Sequence, residues 1–158
     1  MIREIDFKAI SKDTNNWVFG FYAVEPEDGA VMLVPTKDVY DGQDMLLEVD
    51  IIDETAGQYI GKHDKNGKKI YEHDICKIMI LGDEDKVYPP EALLAVIECK
   101  KGSWGFRPLF PELVHKDVRE WKSFIKANGD EWSEEYFEDI GNVFDNFKSE
   151  RGKKRLTE

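Results

Sequence analysis

Apolar residues in this chain fall mostly at every second position or in short unbroken runs, and both patterns are those of β-strands. At the start, Ile5, Phe7 and Ala9 alternate with Glu4, Asp6 and Lys8 and would share one face of a strand. Ser11-Lys-Asp-Thr-Asn-Asn16 is a polar turn, and Trp17-Val-Phe-Gly-Phe-Tyr-Ala-Val24 is a dense aromatic and β-branched run. The chain turns at Pro26-Glu-Asp-Gly29 into Ala30–Val34, and at Asp41-Gly42 before Met45–Ile52. Further on, Ile75–Leu81, Ala92–Cys99 and Trp104–Pro108 read as strands. The charged loop Gly82–Lys86, Pro89-Pro90 and the turn at Lys101-Gly102 separate them. Short strands at this spacing predict a small barrel or sandwich and not a parallel α/β sheet.

The densest pattern lies between Thr55 and Ile75, which reads as strand, turn, strand. Asn66-Gly67 is expected at the centre of a two-residue hairpin turn, because both residues tolerate positive φ. In that register Lys65 faces Lys68, His63 faces Ile70, and Ile60 faces His73.

Two stretches break the period of two. Val114, Val118, Trp121 and Ile125 follow a helical spacing, with Lys116, Asp117, Arg119 and Glu120 facing away and Asn128-Gly129 as a left-handed stop. They predict one inserted helix near 112–127. Tyr136, Ile140, Phe144 and Phe147 admit a helix opening at Ser133 or a closing β segment, and Gly141-Asn142 in mid-pattern weakens the helix. Residues 148–158 have no apolar face and read as a flexible basic tail, with Arg151-Gly-Lys-Lys-Arg155 as its charged cluster.

The run Asp53-Glu-Thr-Ala-Gly-Gln-Tyr-Ile-Gly-Lys-His-Asp-Lys-Asn-Gly-Lys-Lys-Ile-Tyr-Glu-His-Asp-Ile75 resembles the signature of the YopX-like proteins, a family carried by bacteriophages and prophages. Arg3–Ala9 is similar to the family's opening strand, Asn16–Gly20 to the aromatic stretch after it, and Ile140-Gly-Asn-Val-Phe-Asp-Asn146 to its closing motif. The resemblance implies a mainly β fold, at the margin of α+β. It comprises a small β-rich N-terminal subdomain (1–54), an SH3-like β-barrel domain (55–147) and the tail (148–158). It also implies that Ile140–Asn146 closes the sheet as a β segment. It implies no particular activity. The chain departs from the family pattern at His73 and Cys76, where a small and a β-branched residue are more usual, and Pro108–Trp132 looks like an elaboration.

Length and composition narrow the function. The chain has 158 residues, 41% of them hydrophobic and 35% charged, enough for one core or two small ones. No apolar run approaches the ~18 residues of a membrane span. The N-terminus has no signal-peptide core, so the expected location is the cytoplasm of a bacterial host. The net charge of −11 disfavours nucleic-acid binding, whose affinity comes from Lys and Arg. Solubility accounts for such a charge; a sharper reading is an acidic surface that occupies a basic site on a partner, as a mimic of DNA would.

The chemistry-bearing residues assemble weakly. Gly61 to Gly67-Lys68 has the wrong spacing for a P-loop, and Lys69 stands where Ser or Thr is needed. His63, Asp64, His73 and Asp74 are candidate metal ligands, but the expected register puts the two histidines on opposite faces of the hairpin. Cys76 with His73 or His115 would be a nucleophile pair, though no flanking pattern supports it. Both Cys76 and Cys99 read as small buried hydrophobes. Trp17, Phe19, Phe21, Tyr22, Trp104 and Phe106 read as core, with Trp104, beside Gly105, the one expected to be partly exposed. No catalytic, metal or cofactor residue is assigned. A possible binding surface is Lys65, Asn66, Tyr71, Trp104 and Arg107. The function expected is a non-enzymatic protein-binding or oligomerising module, with a host or phage protein or a second copy as partner and no membrane contact. The alternatives are an acidic nucleic-acid mimic and a hydrolase using Cys76 or the histidines.

Overall fold

A computed structural model describes residues 6–27, 29–40, 43–78, 93–113, 122–123 and 136–145. Eleven strands are named in chain order. They are β1 (Phe7–Ile10), β2 (Trp17–Glu25), β3 (Gly29–Tyr40), β4 (Gln43–Asp50), β5 (Gly57–His63), β6 (Lys69–Tyr71), β7 (Asp74–Ile78), β8 (Leu93–Lys100), β9 (Ser103–Pro108), β10 (Lys122–Ser123) and β11 (Phe137–Asn142). The fold is mainly β, with two antiparallel sheets, and among the described residues neither closes into a barrel. The chain forms two units, Met1–Tyr59 with Phe144–Glu158, and Ile60–Val143.

In the first unit the strand order is β4-β3-β2-β1-β5. Directly opposed residues of antiparallel strands share a face. The pairs Ala9↔Val18 and Tyr22↔Met32 put these side chains on one face, where Ala9, Met32 and Ile51 form the core with Phe7, Val18, Tyr22, Ala30 and Val34 against it. The expected alternation of Phe7 and Ala9 therefore points inward. Gly20 is required by close approach, since a Cβ there would run into the Leu33 carbonyl of β3. Buried Thr55 ties the unit together: its hydroxyl accepts the Ile10 N–H (2.9 Å) and donates to the Ile52 carbonyl (2.6 Å).

In the second unit the sheet order is β10-β9-β8-β7-β11, and the end of β5 pairs with β6. Ile60 and Ile70 from that hairpin, Cys76 and Ile78 of β7, Leu93, Ala95 and Ile97 of β8, Phe106 and Phe137 make the core. Of the two readings of the last segment, the β one holds at Phe137–Asn142, which pairs with β7. The register shifts between Asp139 and Gly141, so Ile140 is the extra residue of a bulge and stays exposed.

Two expectations fall wholly or largely outside the described residues. The helix expected near 112–127 gives way at Pro111–Leu113 to a 3-10 turn and at Lys122–Ser123 to a strand paired with β9; its apolar positions 114, 118, 121 and 125 lie outside the described residues. The tail 148–158, with Arg151–Arg155, also lies outside them, as do Ser133 and His115.

Candidate functional site

The signature hairpin turns differently from the two-residue expectation. The Asp64 N–H donates to the Lys68 carbonyl (2.8 Å) and the Gly67 N–H to the Asp64 carbonyl (3.0 Å), enclosing Lys65, Asn66 and Gly67. Gly67 has φ +78°, while Asn66 is not among the residues with positive φ. This is a type I turn followed by a left-handed glycine, a three-residue loop that moves the expected register by one.

The reason is Asp64, which is buried. One carboxylate oxygen, Oδ1, accepts the backbone N–H groups of Asn66 and Lys68, both at 2.9 Å. The other, Oδ2, accepts the N–H of Asp139 in β11 at 3.0 Å. Burial pushes the Asp64 carboxyl up, but the bonds from Asp139, Lys68 and Asn66, with the Lys68 ammonium nearby, outweigh it and hold the group below the usual carboxylate range. Beside it, the Lys65 N–H donates to the Phe137 carbonyl (2.9 Å), and the Lys65 ammonium meets Glu138 at 2.8 Å.

Asp74 supports the backbone in the same way at the next turn of the chain. It is fully buried; Oδ2 accepts the Tyr71 N–H and Oδ1 the side-chain amide of Asn142, both at 2.9 Å. Between these aspartates His73 sits at φ +73° and uses its backbone on both sides. Its N–H donates to Ile97 of β8 (2.8 Å), and its carbonyl accepts from Val143 (3.1 Å). The signature and the closing motif, far apart in sequence, are thus two halves of one hydrogen-bond frame.

Among the described residues no group of three or more His, Cys, Asp or Glu is arranged to hold a metal ion. Cys76 is fully buried opposite Asp139 and Ala95; burial, then the carboxylates of Asp139, Asp74 and Asp64, push its thiol far above the ordinary value. A thiol held protonated and out of reach is no nucleophile. Cys99, expected to be buried, is exposed, because it lies beyond the core end of β8, opposite Trp104 and next to the turn at Lys101.

The model of the YopX protein family matches residues 6–148. The chain belongs to the YopX family. No curated protein matches it. Among solved structures it is similar to the crystal structure of protein EF1440 from Enterococcus faecalis, with 16% identity over 92% of this chain and 96% of that chain and a TM-score of 0.49. No helix among the described residues of this YopX-family chain is long and apolar enough to cross a membrane.

The residues expected to form a binding surface are scattered within the second unit. Lys65 and Asn66 are exposed at the hairpin tip. Tyr71 is buried, 4% exposed, and is corrected to a core residue: it follows Ile70 at the end of β6 and immediately precedes the Asp74 frame. Trp104 is half-buried against the core, while Arg107, exposed and bonded to Glu98 at 2.9 Å, alternates to the other face of β9. Strand alternation thus separates these two side chains.

The aromatic expectation holds for Phe106 and fails for Phe19 and Phe21, which are 48% and 49% exposed. They sit on the face of the first unit's sheet opposite Ala9 and Met32. Phe21 pairs with Leu33 and Leu33 with Glu48; Pro35 pairs with Leu46, and Phe19 is two residues before Phe21 on the same face. On β4, Met45, Leu46 and Leu47 are 43, 49 and 56% exposed. Near this face Lys8 lies over the Trp17 ring, 4.8 Å from its centroid, and the Trp17 indole N–H donates to Asp145.

The net charge is concentrated in the same stretch of chain. Residues 13–61 hold eleven of the 33 Asp and Glu residues but one of the 22 Lys and Arg residues, Lys37, a net of −10. The remainder, with 22 acids and 21 bases, carries −1. Sequence reasoning missed β4 as a surface because three successive apolar residues look like core. The local absence of Lys and Arg between Lys37 and Lys62 is the signal that would have marked it.

Proposed function

We propose that this YopX-family chain is a non-enzymatic binding module, encoded by a phage or prophage and working in the cytoplasm of a bacterial host. The observation that carries the reading is the contrast between its two kinds of side chain. Asp64 and Asp74 of the signature are engaged in holding backbone, whereas Phe19, Phe21, Met45, Leu46 and Leu47 are open to water on an acidic segment. Phe19, Phe21 and Leu46 share one face of that sheet, and several exposed apolar side chains on one face of a small domain are characteristic of interaction sites. In this reading the partner is a host or phage protein. Residues 55–147 act as an SH3-like domain of short antiparallel strands, with Lys65, Asn66, Trp104 and Arg107 available for secondary contacts. Affinity capture from nuclease-treated lysate, with the intact chain and a version ending at Phe147, tests it. One protein recovered near stoichiometric yield by both is expected. Recovery of nothing from host and infected-cell lysates, from a chain that is monomeric in solution, contradicts it.

The acidic concentration in 13–61 favours a second reading, a mimic of nucleic acid that occupies a basic site. It requires that the captured protein bind DNA and that DNA compete with this chain; capture unaffected by DNA removes it.

A further inference from the structure

We propose that the outer edge of β4 docks an extended segment of another protein in which Lys or Arg alternates with apolar residues. The proposal rests on the binding-module reading and names the place and the chemistry of its partner.

β4 ends the strand order, and among the described residues no strand pairs with the outer side of Gln43–Val49. Beyond that the chain is committed: the Asp50 carbonyl accepts the Lys12 N–H, Ile51 bridges Ser11, and the Ile52 N–H donates to Ile10. An edge strand presents a row of main-chain donors and acceptors, and proteins usually blunt it with Lys, Pro or a short length. β4 is eight residues long and has neither Lys nor Pro.

Its alternation specifies the occupant. Met45, Leu47 and Val49 lie on one face, and Leu46, Glu48 and Asp50 on the other, by their registers with β3. A strand added in antiparallel or parallel fashion sets its own alternate side chains beside these rows. One row would be apolar against Met45 and Leu47; the other would pass Leu46 and be cationic against Glu48, with the exposed Asp50 side chain just beyond the docked length.

Charge separates this partner from a second copy. Residues 38–61 contain seven Asp and Glu residues and no Lys or Arg. Two β4 edges brought together would set acid against acid, and like charges across strands are destabilising. The edge therefore repels its own kind and attracts a basic strand.

The test titrates isotope-labelled full-length protein with a short capped peptide of alternating Lys and Val, read by amide chemical shifts and by calorimetry. Controls are a block peptide of the same composition, an alternating peptide N-methylated along one edge, and the exposed-surface double variant Glu48→Lys, Asp50→Lys. The proposal expects shifts concentrated at 43–50, and binding weakened at least ~tenfold in each control by lost pairing or reversed charge. Equal binding of the block peptide, shifts centred elsewhere, an unaffected double variant, or dimerisation through β4 overturns it. If a lysate partner is captured equally by wild type and double variant, this site falls while the binding-module reading stands.

Discussion

Asp64 is the side chain that holds the 65–67 loop and ties it to β11. Its three backbone bonds involve an ionised acceptor, and bonds of that kind contribute roughly 1.5–3 kcal/mol each before non-additivity. Asp64→Ala is expected to lower unfolding stability by about 3 kcal/mol in denaturant titrations. Asp64→Asn keeps an oxygen for the turn but points an amide at the Asp139 N–H, so about 2 kcal/mol is lost. The pH dependence has a definite sign. The folded carboxyl titrates below its unfolded value of ~3.9, so its contribution is complete above that value and disappears as pH falls through the lowered folded value. The stability difference between wild type and Asp64→Asn is therefore expected to be flat from neutral pH to about 5 and to shrink below about 4. His73 is the opposite case, a non-glycine residue at φ +73° whose backbone bonds to Ile97 and Val143. Its Nε2 lies 3.9 Å from a Glu72 carboxylate oxygen, a long and partly exposed contact. His73→Gly is expected to raise stability by about 1 kcal/mol, since the left-handed conformation costs a Cβ roughly that much; a fall in the unfolding midpoint would contradict this. The sequence displayed these aspartates and histidines as candidate ligands because residue type shows chemistry; it does not show which lone pairs are already engaged by backbone.

Among the elements, the strands were legible and their registers were not. Runs such as Trp17–Val24 and the alternation at Phe7 and Ala9 state strand and inward face directly. The turn at 65–67 was misjudged because Asn-Gly fits two hairpin types, and the choice between them is made by Asp64 reaching into the loop and across to β11. Likewise Gly141, which weakened the helix reading, marks the bulge that turns Ile140 outward while Asn142 reaches Asp74. The inserted helix was read from a real periodicity, yet at Lys122–Ser123 pairing with β9 prevails. Packing between β2 and β3 gives the clearest test at this scale. Gly20→Ala forces a Cβ onto the Leu33 carbonyl, which is backbone and yields only if the strands separate. A loss of roughly 1–3 kcal/mol is expected, measured by thermal or chemical unfolding; an unchanged midpoint would show that β2 and β3 are not so closely apposed.

Across the whole molecule, the two units carry different burdens. The second is framed by the family signature and its closing motif; the first holds the exposed apolar residues of β2 and β4 and nearly all of segment 13–61, with its charge of −10. The overall charge was visible from composition, but its confinement to 13–61 emerges only when charge is counted along the chain. The candidate surface of Lys65, Asn66, Tyr71, Trp104 and Arg107 was drawn from the signature because that is where the pattern is densest. Dense pattern there reflects the geometry of the hydrogen-bond frame, which fixes residue type as strictly as a site would. Within the YopX signature of this chain, Asp64, Asp74 and the His73 backbone hold the second unit's turns and strands together. The most direct measurement is an NMR pH titration that follows the Asp64 carboxyl carbon together with the amide protons of Asn66, Lys68 and Asp139. One shared transition is expected, at a pH below the ordinary carboxylate value of ~3.9. A midpoint at or above that value, or amide protons that do not follow the carboxyl, would contradict it.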